Sequence, residues 1–282
     1  MSNYSLEQAL AFGASALNTT SESPKLDAEV LLLATINQSR TYLFTWPEKE
    51  LTDDQQSHFI AAIEKRKLGK PVAHITQCRE FWSLNFKVSP ATLIPRPDTE
   101  TLVELALTKA TEKTGKLLDL GTGTGAIALS LASELVNWQV TAVDFKPEAV
   151  ELATENKHAL QIENAEILQS DWFNALSDSQ FDIIVSNPPY IDPQDPHLQQ
   201  GDVRFEPLSA LVAKKQGMAD IEHIIKASRK YLKAKGWLLI EHGYDQGQLV
   251  RDFFAKMAYK VITTEKDLGG NDRVTLAKWD PD

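Results

Sequence analysis

Asn187-Pro188-Pro189-Tyr190 carry the most pointed chemistry in the sequence. They follow Phe181-Asp182-Ile183-Ile184-Val185-Ser186, an apolar run that predicts a buried parallel strand. At the carboxyl end of such a strand, the Asn187 side-chain carbonyl and the Pro188 backbone carbonyl supply two acceptors, and proline has no N–H to compete with them. Consecutive prolines fix the loop, so the acceptors need no ordering when a ligand arrives. Two fixed acceptors suit a planar –NH2 group whose delocalised lone pair must be turned toward an electrophile. A Pro-Pro pair alone reads as a rigid turn. With asparagine before it and tyrosine after it, on the end of an apolar strand, Asn187, Pro188, Pro189 and Tyr190 become the candidate catalytic residues.

A second candidate lies upstream, between the strand-like Lys116-Leu117-Leu118-Asp119-Leu120 and the apolar helical run Ala126–Ala132. There Gly121-Thr122-Gly123-Thr124-Gly125 sets glycines at alternate positions, where the backbone turns sharply and a ligand approaches closely. The spacing is not the G-x-G-x-x-G of dinucleotide enzymes, and the loop lacks the Lys-Ser/Thr of a phosphate-binding P-loop. The next strand, Gln139–Asp144, ends in an acid about twenty positions past the glycines, which suits ribose hydroxyls. As a lone residue, Asp144 equally suits a cap for the helix near Pro147. A third strand, Ala165–Gln169, ends at Ser170-Asp171-Trp172, so Trp172 is expected to wall an adenine pocket with Asp171 near an exocyclic amine.

Together, the glycine loop, Asp144 and Asn187–Tyr190 resemble class I S-adenosylmethionine-dependent methyltransferases acting on nitrogen. Ile94–Glu100, Arg204-Phe205-Glu206-Pro207, Gly236–Gly243 and Gly269–Arg273 narrow the resemblance to the bacterial release factor glutamine methyltransferase family, over nearly the whole chain. The resemblance implies S-adenosylmethionine as cofactor, S-adenosylhomocysteine as product, and class 1 peptide chain release factors as protein substrates. The methylated atom would be the side-chain amide nitrogen of the glutamine in their Gly-Gly-Gln motif. Gly121 to Gly125, Asp144, Trp172 and Asn187 are the expected cofactor-binding residues, with no metal. Arg96 to Glu100 are expected to help form the mouth of the site, while His74, Glu241 and His242 are read as structural, and none of them is assigned catalysis.

The period of the sequence changes along its length. From about Ser5 to Lys67 apolar residues recur at helical spacing, and Thr52 with Gln55 forms a capping box opening a third helix. Glu80–Val88 is aromatic and alternating, as in a hairpin. From about Pro97 strands and helices alternate, and the chain closes with two strands, Tyr259–Thr264 and Arg273–Ala277, joined without a helix and therefore antiparallel. The expected fold is α/β: a doubly wound, mostly parallel sheet with an antiparallel final strand, preceded by a small helical domain and a β-hairpin linker. The expected boundaries are 1–70 for a helical partner-binding domain, 71–96 for the linker and 97–282 for the methyltransferase domain.

The charge argues about partners. With 29 Lys and Arg against 39 Asp and Glu, the formal net charge is −10. Enzymes methylating adenine in DNA or RNA share an Asn-Pro-Pro-aromatic turn, but phosphate neutralisation generally gives them a basic track. Here the basic clusters Lys65-Arg66-Lys67 and Arg229–Lys235 read as solvated helix faces or helix C-terminal ends. An acidic protein is drawn to a basic partner such as a factor working on ribosomal RNA. No stable nucleic-acid partner and no membrane association are expected. The single cysteine, Cys78, is read as structural, and no export signal or membrane span is evident, so a cytoplasmic monomer is expected. Nucleic-acid adenine methylation is the nearest alternative. A small-molecule N-methyltransferase would leave the helical domain superfluous, and a non-enzymatic binding module would not need an intact acceptor turn.

Overall fold

Capping residues in the sequence set the first helices. In the computed structural model, which describes residues 3–177 and 179–281, Ser5 and Gln8 exchange side-chain and backbone hydrogen bonds at the start of α1 (Leu6–Leu17). Pro24 opens α2 (Pro24–Ile36), which ends at Asn37 in the left-handed conformation. A short α3 (Arg40–Thr45) follows, then α4 (Asp53–Lys67), opened by the expected Thr52–Gln55 capping box. The five-residue α5 (Val72–Thr76) comes next. At one turn each, α3 and α5 are too short to leave a periodic signature. Leu6, Leu17, Leu31, Leu32, Phe59 and Ile63 are fully buried and form the core of this helical unit.

The unit comprises the chain up to Cys78 together with a distant segment, His197–Phe205. Arg66 fastens that segment: its guanidinium donates to Asp27 at 2.7 Å and to Asp202 at 2.8 Å. Lys65–Lys67 form the C-terminal end of α4, as one of the two expected readings has it, but Arg66 is not solvated: its side chain is 12% exposed. Burial selects arginine here because its fork serves two carboxylates at once.

The second unit runs from Arg79 to Pro196 and from Glu206 onward. A hairpin of β1 (Cys78–Phe81) and β2 (Leu84–Lys87) turns at Trp82 and Ser83, both at positive φ, and buries Phe81 edge-on against Phe86. It starts two residues before the alternating stretch does, at Cys78, which is exposed. A 3-10 turn, Pro97–Thr99, leads into α6 (Glu100–Lys109). Then come β3 (Lys116–Leu120), α7 (Ala126–Glu134), β4 (Gln139–Asp144), α8 (Pro147–Ala159), β5 (Ala165–Gln169) and β6 (Phe181–Ser186). The chain ends with α9 (Ala219–Ser228), β7 (Leu232–Glu241), α10 (Gly247–Lys256), β8 (Lys260–Lys266) and β9 (Asp272–Lys278).

The seven strands β3 to β9 form one sheet in the order β5-β4-β3-β6-β7-β9-β8, parallel except for β9, which runs against both neighbours. This is the expected doubly wound sheet with an antiparallel final strand. The central strands are buried on both faces, which is why β3 and β6 read as continuous apolar runs. One face packs on α6 and α7 through Leu102, Leu129 and Leu131, the other on α9 and α10 through Ile221, Ile224 and Phe254. The Arg229–Lys235 cluster is not a helix end throughout. Leu232–Lys235 begin β7, where Lys233 pairs with Asp182 of β6 at 2.8 Å.

Candidate functional site

The order of the sheet reverses between β3 and β6: β4 lies on one side of β3 and β6 on the other. Crevices open at the carboxyl ends of strands at such a switch point. Leu120 is in register with Ser186, and the Ser186 hydroxyl donates to the Leu120 carbonyl at 2.8 Å. The glycine loop after β3 and the acceptor turn after β6 therefore emerge side by side. Between them lies a cavity of about 380 Å³, in the range of small-ligand sites. Its walls include Gly121, Thr122, Gly123, Thr124, Asp144, Asp171, Trp172, Asn187 and Pro189. Gly125, Pro188 and Tyr190 are not among its lining residues. Gly125 caps α7 and Pro188 is buried.

All three loop glycines sit in left-handed conformations, with φ of 75°, 58° and 82°. A Cβ added at Gly121 would come no nearer than 3.9 Å to Trp172, and one at Gly123 no nearer than 3.9 Å to Thr92. Both would stand in the cavity, where a ligand would otherwise lie. Below the loop, Asp119 is fully buried and takes the Thr122 hydroxyl at 2.6 Å, while burial pushes its carboxyl up to about 7. From α8, Asn156 donates to the Thr124 carbonyl at 2.9 Å and to the Lys87 carbonyl at 3.0 Å, tying the loop to the hairpin. Asp144 does not cap α8. One oxygen accepts from Gly123 N–H and the other from Lys146 N–H, both at 2.9 Å, which leaves lone pairs on each. Burial raises its pKa. Trp172, at φ 48°, supplies a flat wall. An adenosyl group with ribose hydroxyls fits these residues: an open glycine cradle, a carboxylate and an indole line one cavity.

The acceptor turn is held from behind. The Asn187 amide donates to the Thr99 hydroxyl at 3.2 Å, and its carbonyl oxygen Oδ1 is buried without a hydrogen-bond partner. Buried acceptors are seldom left unpaired, so this one marks a place for a donor. The Tyr190 hydroxyl faces Glu241 at 3.5 Å, and its backbone carbonyl takes the Gln246 side chain at 2.9 Å. Burial raises the Tyr190 phenol and pushes the Glu241 carboxyl up to about 7.

Several motif residues assigned no catalysis meet here. Arg96, on the cavity wall, pairs with buried Glu206, which also accepts Ile94 N–H at 2.9 Å. Arg273 pairs with Asp267 at 3.0 Å and with Asp98 at 3.5 Å. Buried His242 lies between the Gly243 carbonyl and the Thr275 hydroxyl, 2.8 Å from each, and burial lowers its pKa. Thr99 falls within the Arg96–Glu100 stretch expected at the mouth and lines the cavity with Arg96; Asp119, Asn156 and Gln246 were not singled out from sequence. Of these, Asp119 alone leaves a signal, an acid in the middle of an apolar strand.

A switch-point crevice, a glycine cradle and an acceptor turn on adjacent strand ends define a class I methyltransferase. Solved structures share this fold: the hMettl16 catalytic domain in complex with MAT2A 3'UTR hairpin 6 superposes with a TM-score of 0.58 at 16% identity, covering 78% of this chain and 81% of that one. A methyltransferase from Pyrococcus furiosus does so with a TM-score of 0.55 at 17% identity, covering 79% and 99%. The sequence matches the Methyltransferase small domain family over residues 97–202 and the PrmC N-terminal domain family over residues 8–76. It is 54% identical over 274 residues to the release factor glutamine methyltransferase of Shewanella oneidensis, covering 97% of this chain and 96% of that protein. It is 56% identical over 259 residues to the Escherichia coli enzyme of that name, covering 92% and 94%. The chain belongs to the release factor glutamine methyltransferase family. Among the described residues, no helix is long and apolar enough to cross a membrane, and no group of three or more His, Cys, Asp or Glu is placed to hold a metal ion.

Proposed function

We propose that this enzyme methylates the side-chain amide nitrogen of the glutamine in the Gly-Gly-Gln motif of class 1 peptide chain release factors. The observation that carries the reading is the buried, unpartnered Asn187 Oδ1 at the wall of the cavity, beside the glycine cradle. When bound, S-adenosylmethionine supplies an electrophilic methyl group and leaves as S-adenosylhomocysteine. Gly121 to Thr124, Asp144, Trp172 and Asn187 would hold it, with Gly125 shaping the loop from behind as the cap of α7. The Asn187 carbonyl and the Pro188 carbonyl accept the two hydrogens of the target amide, which turns the nitrogen lone pair toward the methyl and offsets charge developing on nitrogen. Pro189 keeps the turn rigid, and Tyr190 shapes its flank.

A strong base is not required, because the methylated nitrogen is acidic and releases its proton after transfer. Holding two reactants in line contributes on the order of 7–11 kcal/mol in favourable cases. We further assign residues 1–70 to gripping the release factor, 71–96 to a linker and 97–282 to catalysis. The net charge of −10 favours a basic protein partner over nucleic acid, and we place the enzyme in the cytoplasm as a monomer.

The test supplies labelled S-adenosylmethionine with a release factor, the same factor with its Gly-Gly-Gln glutamine changed to alanine, and total nucleic acid. Label on the intact factor alone is the expected result; label on nucleic acid alone would overturn the reading. N187A is expected to lower kcat by about 100- to 1,000-fold, as when one preorganised hydrogen-bonding group is lost, with cofactor affinity largely kept.

A further inference from the structure

The segment joining the hairpin to the turn before α6 reads from sequence as a linker, yet it supplies part of the cavity wall. Ala91, Thr92, Leu93 and Pro95 line the space, together with Phe81 from β1. The others are apolar, and Thr92 is the exception. It is 2% exposed, and its hydroxyl oxygen Oγ1 is buried without a hydrogen-bond partner. The Thr92 backbone is accounted for, since its N–H donates to the Ser89 carbonyl at 3.4 Å. An unpaired buried hydroxyl costs stability that a valine of the same shape does not. In the wall of a binding cavity, such a group marks a place for a ligand atom.

The geometry points to Thr92 as a further cofactor contact, its hydroxyl donating to the α-carboxylate at the amino-acid end of S-adenosylmethionine. This rests on the reading that the glycine loop, Asp144 and Trp172 hold the adenosyl part. The loop gives the direction. A Cβ on Gly121 would have the Trp172 ring as its nearest neighbour, at 3.9 Å, whereas one on Gly123 would have the Thr92 Cβ, also at 3.9 Å. Thr92 therefore stands at the end of the loop away from the indole. Asp144 accepts the Gly123 N–H at 2.9 Å. With the base on the indole and the ribose on Asp144, what remains of the ligand is its amino-acid end, and it runs toward Thr92.

Charge decides which group of that end Thr92 meets. The ammonium needs acceptors and the carboxylate needs donors. Acceptors are plentiful, since Asp144, Asp171 and Asp220 all line the cavity. Several side-chain donors are already committed. The Thr122 hydroxyl is given to Asp119 at 2.6 Å, the Ser170 hydroxyl goes to the Trp172 carbonyl at 2.8 Å, and the Arg96 charge is met by Glu206. The Thr92 hydroxyl is uncommitted. Donated to a carboxylate, it makes a charge-assisted bond, roughly twice as strong as a neutral one.

The experiment titrates S-adenosylhomocysteine and methylthioadenosine into wild type, T92V and T92S by calorimetry. Methylthioadenosine keeps the adenine, ribose and sulfur but lacks the amino-acid end. T92V is expected to bind S-adenosylhomocysteine about 10- to 100-fold more weakly, the loss of one hydrogen bond to a charged group, with methylthioadenosine affinity unchanged. T92S restores most of the loss. Without ligand, T92V is expected to be no less stable than wild type in urea, because it gives up only an unpaired hydroxyl. Destabilisation of the ligand-free variant would count for a structural hydroxyl and against the contact. Unchanged S-adenosylhomocysteine affinity in T92V would overturn the contact while sparing the adenosyl reading. An equal loss for both ligands would overturn the assignment to the amino-acid end. A wild type that binds neither ligand would overturn the cofactor reading and the contact with it. If T92V does not fold, T92A removes the same hydroxyl, and the absence of a difference between the two ligands overturns the inference.

Discussion

Gly217 controls the position of the acceptor turn from outside the cavity, and G217A measures how much placement matters. The residue sits at φ +83°, and an added Cβ would lie 2.7 Å from the Tyr190 carbonyl carbon and 2.6 Å from the Gln246 Nε2 that holds the Tyr190 carbonyl. Ordinary van der Waals separation needs roughly 1 Å more. A shift of about 1 Å in positioning can cost about 100-fold in rate. Tyr190 ends the Asn-Pro-Pro-Tyr turn, and its displacement carries Asn187 and Pro188 with it.

The strain of a left-handed alanine must be separated from this displacement, and Gly270 provides the control. It has nearly the same φ, +82°, with nothing within 4 Å of an added Cβ. Both variants carry about 1 kcal/mol of backbone strain, and G217A loses further thermal stability because its added Cβ also meets the Tyr190 backbone. Only G217A is expected to lose about 100-fold in kcat on a release factor, with S-adenosylmethionine affinity nearly intact. Equal kcat for G217A and G270A would refute the claim that Gly217 governs the acceptor turn.

Other perturbations separate cofactor binding from stability. W172A removes the indole wall and is expected to weaken S-adenosylmethionine binding by about 1–3 kcal/mol, the scale of base–aromatic stacking; calorimetric titration checks it. The Asp119 pKa is raised from 3.8 to about 7, so its contribution to stability is fully present below about pH 4 and is lost as pH rises through 7. D119N removes this dependence, and its stability relative to wild type is expected to improve by on the order of 4 kcal/mol from pH 4 to 8, at 1.36 kcal/mol per pKa unit. A pH-independent difference in urea unfolding would count against it. R66A leaves the Asp27 carboxylate, whose side chain is 10% exposed, with the Ser21 and Ser23 hydroxyls but no counter-charge, and is expected to cost about 3 kcal/mol. Earlier proteolysis at 197–205 is its signature.

Local chemistry was legible wherever it repeats or punctuates. The capping box at Thr52 and Gln55, the apolar runs of β3 and β6, and the alternate glycines after β3 each express a constraint satisfied within a few residues. One-turn helices such as α3 and α5 carry no period. The Arg229–Lys235 cluster misled because Lys233 owes its place to Asp182 on the neighbouring strand, not to a helix end.

By itself, the sequence determined the types of the longer elements, the two loops that do chemistry and the family, because propensity, turn geometry and motif spacing are properties of short segments. Tertiary structure alone decided that the loop after β3 and the turn after β6, 66 residues apart in the Ser186–Leu120 pairing, open into one cavity. It also brought Thr99, Glu241 and Gln246 behind the acceptor turn. Such groups are chosen by burial: a carboxylate or hydroxyl removed from water must find its partner across the fold, and no local pattern announces which one it finds.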